Sequence, residues 1–296
     1  MIKVMTLMFS FALITTGAHF DAVYAASKDA DAKAIMQNVL DRDDGDSQYS
    51  HQTVATCRYA KKGKGIACAD KPRIKAIESL RKDYGDTGKD RKSISIILEP
   101  SAEKGIGFLQ YDYEDQEKDS DQWMYLSALG KVKRIISGKS DEPKTGSLFG
   151  SEISYEDVEI THIDDFTYTL TKEEKYTGRD CWVIESLPKP EHARKSNYSK
   201  SIQWIDKERL ISLRVLLYDR RGRALKQMTQ SDLVLHDGIW IAKKLNMNNV
   251  QTKRITTMKL DNISINLKLD DSVFTQRTLT DGAFRESMFA KVRESL

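Results

Sequence analysis

Apolar residues recur along this chain at two periods, and the shorter one dominates. Ser93-Ile94-Ser95-Ile96 alternates polar and apolar and runs on to Leu98 before Pro100 closes it, which is the pattern of a half-buried strand. Gly107 to Tyr113 puts Leu109, Tyr111 and Tyr113 on one face, because successive strand side chains point to opposite sides. Further strand segments are Gln122 to Leu126, Phe166 to Thr171, Cys181 to Leu187, Ser201 to Ile205 and Leu210 to Tyr218. Ala224 to Leu235, Ile239 to Val250, Lys253 to Leu260 and Ile263 to Leu269 follow, parted by Asp219-Arg220-Arg221-Gly222, His236-Asp237-Gly238 and Asp261-Asn262. Strands separated only by turn chemistry predict an antiparallel meander and not βαβ units. The longer period marks two helices. Ile35, Met36, Val39 and Leu40 share a face within Asp31 to Arg42, and Phe284, Met288, Phe289 and Val292 do so within Asp281 to Leu296. Arg73 to Tyr84 fits either period: Ile74, Ile77, Leu80 and Tyr84 suit a helix, and Ile74, Ala76, Leu80 and Tyr84 suit a strand. The fold class expected is therefore mainly β with a few helices.

The N-terminus has a different character. Lys3 precedes an apolar run from Val4 to Thr16, and Val23-Tyr24-Ala25 offers small residues at −3 and −1. This reads as a cleavable signal peptide over residues 1–25, too short in its apolar part for the roughly 20 residues of a membrane span. The expected location is the periplasm. Residues 26–296 hold no repeat, no low-complexity tract and no Pro/Ser linker, so one domain is expected. The chain has 47 basic and 44 acidic residues and a net charge of +3. That balance gives neither a nucleic-acid footprint nor a polybasic membrane patch.

Candidate chemistry is sparse. The chain has no G-x-S-x-G, H-E-x-x-H or G-x-x-x-x-G-K-[ST] pattern, so no hydrolase elbow, zinc helix or phosphate loop is expected. The mature histidines, His51, His162, His192 and His236, are scattered without ligand spacing, and no metal or cofactor is expected. Asp41 to Asp46 resembles a calcium loop only superficially, because Gly45 and Gln52 fall where carboxylates are needed. Cys57 and Cys68 flank the turn-like Lys61-Lys62-Gly63-Lys64-Gly65, so a disulfide across a hairpin is a candidate in an oxidising compartment. Cys181 is left over. Trp123, Trp182, Trp204 and Trp240 each fall inside a strand segment; such large apolar groups serve either a core or the wall of a cavity.

Two stretches carry a family resemblance. Asp121-Gln122-Trp123-Met124-Tyr125-Leu126-Ser127-Ala128-Leu129-Gly130-Lys131-Val132-Lys133-Arg134-Ile135 is the first, and Leu148-Phe149-Gly150-Ser151-Glu152-Ile153-Ser154-Tyr155-Glu156-Asp157 the second. Together they resemble the bacterial outer-membrane lipoprotein-sorting family, whose members are LolA-like. Trp204-Ile205-Asp206, Tyr218-Asp219 with Gly222 and Lys226, and Phe274-Thr275-Gln276-Arg277 with Leu279 add to the likeness. Ser127, Glu152 and Ile153 depart from the residues usual in the family.

The resemblance implies a LolA/LolB-like curved, incompletely closed antiparallel sheet, a half-barrel, with helices covering its concave face. It also implies that Arg73 to Tyr84 is a strand. The function implied is a non-catalytic periplasmic carrier that binds the acyl chains of a lipoprotein or other lipid and moves it between inner and outer membranes. An inner-membrane transporter and an outer-membrane acceptor would be its partners, with the carrier itself a monomer. The alternative is an accessory protein of an RND-type transporter; a periplasmic hydrolase would need a polar constellation that the sequence does not assemble. Candidate cavity residues are Leu109, Tyr111, Trp123, Tyr125, Trp182, Trp204, Leu213, Val215, Leu217, Ile265 and Leu267. The motif loop is represented by Phe149, Gly150, Ser151, Tyr155 and Asp157, whose expected role is to fix a loop, with contact to a lipid headgroup or partner as the alternative.

Overall fold

The computed structural model of the chain describes residues 31–63, 65–136 and 142–296. The expected signal peptide lies outside these residues. Helix α1 occupies 31–40. Strands follow as β1 (Ser47–Lys62), β2 (Gly65–Cys68), β3 (Arg73–Tyr84), β4 (Asp90–Glu99), β5 (Gly107–Asp112), β6 (Asp121–Leu126) and β7 (Lys131–Ile135). After a long connection come β8 (Phe166–Tyr176), β9 (Arg179–Pro188), helix α2 (Pro190–Lys195), β10 (Tyr198–Asp206), β11 (Ser212–Asp219), β12 (Ala224–His236), β13 (Ile239–Asn249) and β14 (Arg254–Ile265). Two helices end the chain, α3 (Gln276–Thr280) and α4 (Gly282–Glu294).

All strands join one antiparallel sheet in the order β7-β6-β5-β4-β3-β1-β14-β13-β12-β11-β10-β9-β8, with β2 paired to β1 alone. The sheet is not closed: β7 and β8 are its two edges. This is the mainly β, incompletely closed architecture expected. Arg73–Tyr84 is a strand, paired to β1 and β4 along its length. Two local expectations change. The two segments expected on either side of Asp261-Asn262 are one strand, β14, which absorbs the extra residue as a bulge opposite His51 and Gln52. Leu267 and Leu269 fall beyond its end. The helix expected over Asp281 to Leu296 is α4, which Asp281 starts by accepting the Phe284 N–H, and a further short helix, α3, precedes it.

Residues paired across neighbouring strands share a face, so the register identifies which side chains look the same way. Leu170, Ile184, Gln203, Val215, Met228, Met247, Thr256 and Thr56 form one such row, from β8 across to β1. The connection from Lys144 to Ile163, here called the strap, lies on this face. It meets β6 through Gln122 Nε2 donating to the Tyr155 carbonyl at 3.1 Å, and β5 through Gln110 Nε2 donating to the Val158 carbonyl at 2.7 Å. It also meets β14 through the Glu152 N–H on Thr256 Oγ1 at 2.9 Å and β10 through Tyr198 Oη on Asp157 at 2.6 Å. Eight strands lie between β6 and β10 in the sheet. One short segment reaches both only if the sheet bends around it, so this face is concave.

Helix α1 packs on the concave face too, with Ala32 and Met36 against Tyr168, Ile184 and Ile205. The other side of the sheet carries a separate core. Tyr49, Leu80, Ile94, Leu109 and Trp123 form a row across β1, β3, β4, β5 and β6, and α3 and α4 cover it with Leu279, Met288, Phe289 and Val292. The approach is close: a Cβ on Gly107 would stand 2.7 Å from Ile96 Cδ1 and Leu279 Cδ2.

Candidate functional site

The strap is built from the second motif. Leu148–Gly150 makes a tight turn in which Phe149 and Gly150 both have positive φ, 52° and 71°. That conformation is costly for a phenylalanine, and burial of its ring holds it: Phe149 packs with Phe108, Met124 and Tyr155. Tyr155 stacks on Phe108 with centroids 5.8 Å apart. Ser151 Oγ accepts the Ile153 N–H at 3.1 Å and Asp157 Oδ2 accepts the Ser154 N–H at 2.7 Å, so both side chains shape the turn.

Asp157 also anchors the strap to the sheet. Lys226 Nζ of β12 donates to Asp157 Oδ2 at 2.8 Å and to Tyr198 Oη at 2.9 Å, and Tyr198 Oη in turn donates to Asp157 Oδ1. The side chains of Lys226 and Asp157 are 8% and 7% exposed. In so dry a setting each charge needs the other. Burial, followed by the field and hydrogen bond of Asp157, pushes the Tyr198 phenol far above its usual range. A second tie joins Glu152 to Arg254 Nε at 2.5 Å and to Asn249 Nδ2 at 3.0 Å.

Between the strap, α1 and strands β8 to β12 lies a mostly apolar cavity of about 250 Å³. Met36, Phe166, Tyr168, Val215, Leu217 and Met228 supply much of its wall. Polar groups reach it from Glu156, Asp157 and Glu159 of the strap, from His192 and Lys200, and from Ser186, Ser201 and Gln203 of the sheet. A larger hollow of about 790 Å³ opens beside the 41–46 turn, but it is lined by carboxylates. Asp44 and Asp83 there are tied to Arg81 and Arg91. Chemistry, not volume, therefore makes the smaller space the candidate ligand site.

The structure divides the residues expected to line a cavity. Val215 and Leu217 line it. Trp182 lies on the concave side with the α1 core. Ile265 is buried on the same side, across from Gln48 and next to Gly45. Leu109, Tyr111, Trp123, Tyr125 and Leu267 belong to the core beneath α3 and α4 on the opposite face, so these five do not line the concave cavity. Trp204 and Leu213 sit in a further outer cluster with Val183. There the Arg214 guanidinium covers the Trp204 indole at 4.6 Å and Trp204 Nε1 donates to Glu174 at 2.5 Å. Strict alternation separates two faces but does not say which will be concave. The expected cavity residues therefore fall on both faces. Tyr168 and Ser186 went unremarked because a lone polar residue in a strand normally signals the wet side.

Cys57 and Cys68 are disulfide-bonded, clamping the β1–β2 hairpin, and Cys181 is free and buried. Three histidines face aspartates: His51 with Asp261, His192 with Asp165 and His236 with Asp237. Among the described residues no cluster of three metal-ligating side chains forms, and no helix is long and apolar enough to cross a membrane.

Comparison with known proteins adds four findings. A family model described as "Uncharacterized protein" matches residues 89–281. A DUF1329 family protein from Desulfovibrio piger has a similar structure, with a TM-score of 0.76 and 25% identity over 85% of this chain and 99% of that one. A putative outer membrane lipoprotein-sorting protein domain from Vibrio parahaemolyticus matches with a TM-score of 0.73 and 27% identity, again over 85% and 99%. A LolA superfamily protein from Nitrosomonas europaea shares the fold, with a TM-score of 0.59 and 17% identity over 82% and 97%. No curated protein matches the sequence.

Proposed function

The chain belongs to the family whose model spans residues 89–281, a LolA-like family by its fold and neighbours, and from that premise we propose that it is a non-catalytic periplasmic lipid carrier. In this reading residues 1–25 direct export. The protein then takes acyl chains of a lipoprotein or other lipid into the concave cavity and moves them from an inner-membrane transporter to an outer-membrane acceptor. The single observation that carries the proposal is the mostly apolar cavity of about 250 Å³ between the strap, α1 and β8–β12.

Its size has energetic meaning. At ~30 Å³ per methylene, about the share of a water in the liquid, the cavity holds about eight methylenes. Taking those from water is worth about 6 kcal/mol gross, at ~0.8 kcal/mol each. Association costs are of the same order. A short chain therefore binds weakly, and a long chain must gain room from the protein.

A fluorescent acyl probe tests this reading. Binding by the wild-type protein is expected, and Val215→Trp and Leu217→Trp, which put an indole into the space, should weaken it at least tenfold while leaving the thermal midpoint nearly unchanged. If the wild type binds no acyl probe, or if both tryptophan variants bind as well as the wild type, the carrier reading fails.

A further inference from the structure

Two hydroxyls in the cavity have no protein partner. Tyr168 is 4% exposed and Ser186 is 2% exposed, and both line the cavity. Neither Tyr168 Oη nor Ser186 Oγ has a hydrogen bond, although both atoms are buried. They stand directly opposite each other on β8 and β9, on the wall that faces α1. Buried polar groups are almost always paired, so two orphans side by side in a chamber whose surface is mostly apolar mark a place where something else completes the bonding. Nothing in the fold requires a polar group at either position, because their neighbours on this face include Leu170, Ile184 and Phe166.

The rest of the wall limits what that partner can be. Glu156, Asp157 and Glu159 line the same cavity, against Lys200 and His192. Lys200 is already engaged by Glu185 at 2.8 Å, and Lys226 by Asp157. Burial, with the fields of Asp165 and Asp164, drives the Tyr168 phenol well above its ordinary range. It is therefore a neutral donor; Asp157 and Glu159 are themselves paired with Lys226 and Lys144, and the lining basic groups Lys200 and His192 with Glu185 and Asp165, so an incoming carboxylate would meet no unpaired positive charge among the described lining residues. A group that accepts two hydrogen bonds and carries no negative charge fits such a site; a carboxylate does not.

We propose that Tyr168 and Ser186 form a polar anchor that donates to the ester or amide oxygens of a neutral acyl group whose hydrocarbon tail fills the cavity. This rests on the carrier reading and deepens it, by selecting acyl esters and amides over free fatty acids. The same chemistry occurs in an acylated lipoprotein terminus and in a glycerolipid.

The test is displacement of 1-N-phenylnaphthylamine from the mature full-length protein by decane, methyl decanoate and decanoate at pH 8. Methyl decanoate should displace the dye better than either of the others. Tyr168→Phe and Ser186→Ala should each weaken methyl decanoate about threefold to tenfold, the worth of one neutral hydrogen bond, and leave decane unchanged. Because each variant deletes an unpaired buried group, its unliganded thermal midpoint should hold or rise; that controls for misfolding. A decanoylated lipopeptide and didecanoyl phosphatidylglycerol then distinguish the sources: the one whose affinity falls in the variants supplies the anchored group. Equal effects on decane and ester, preference for decanoate, or no effect of the variants on either lipid would overturn the anchor. Failure of all three small ligands to displace the dye would instead sink the carrier reading itself.

Discussion

Asp157 and Lys226 come from two separate stretches of family likeness, one in the strap and one on β12, and they meet as a buried ion pair capped by Tyr198. Removing one member leaves the other charged and dry. Lys226→Met is therefore expected to cost about 3–5 kcal/mol, the usual penalty for breaking such a pair, read from the urea midpoint. Pairing Lys226→Met with Asp157→Leu should recover part of the loss. A second residue-scale effect concerns acidity. Asp112 is 3% exposed, and burial raises its pKa despite hydrogen bonds from Ser120 and Gln110. Glu159, partly buried beside Lys144, shifts the same way, again through burial. A carboxyl with a raised folded pKa binds its proton more tightly when folded. Its contribution is complete below the ordinary value of about 4 and is lost as pH rises through the raised one. The thermal midpoint of the wild type relative to that of Asp112→Asn should thus decline from pH 4.5 toward pH 7.5 in a scanning series. The sequence marked Asp157 and Lys226 as motif positions. It could not pair them, because 68 residues separate them and only the bend of the sheet closes the gap.

At the scale of elements, the two faces of the sheet have separate duties, and substitutions should separate them. Phe289 of α4 is 2% exposed in the outer core. Phe289→Ala should cost about 3–5 kcal/mol, yet leave the affinity for an acyl probe within about twofold, since no α4 residue reaches the cavity. Stability comes from denaturant titration and affinity from the probe assay at a temperature where the variant is folded. Most strands were legible because one face is apolar and the other is not. Strand β1 was not, for a physical reason: its concave side is Gln48, Ser50, Gln52, Val54 and Thr56, so alternation is nearly erased. Those polar groups find partners instead, as Thr56 does with Thr256 at 2.8 Å and Gln52 with Ser50 at 2.8 Å. Helix α2 escaped notice because six residues are too few to display a period, although Pro190 at its first turn is a usual opening.

For the whole molecule, the open sheet leaves β7 and β8 unpaired to each other, and the strap is what spans the hollow between the two halves. It therefore occupies the ground that a long hydrocarbon tail would want. On the proposed carrier reading, loading would be an exchange of occupants: whatever a cargo gained by entering would have to exceed what the strap surrendered at Asp157, Glu152 and Tyr155. Affinity for bulky cargo would then be a difference between two competing tenants of one trough. A receptor that prised loose either the strap or the tail would set the direction of traffic without altering the trough itself.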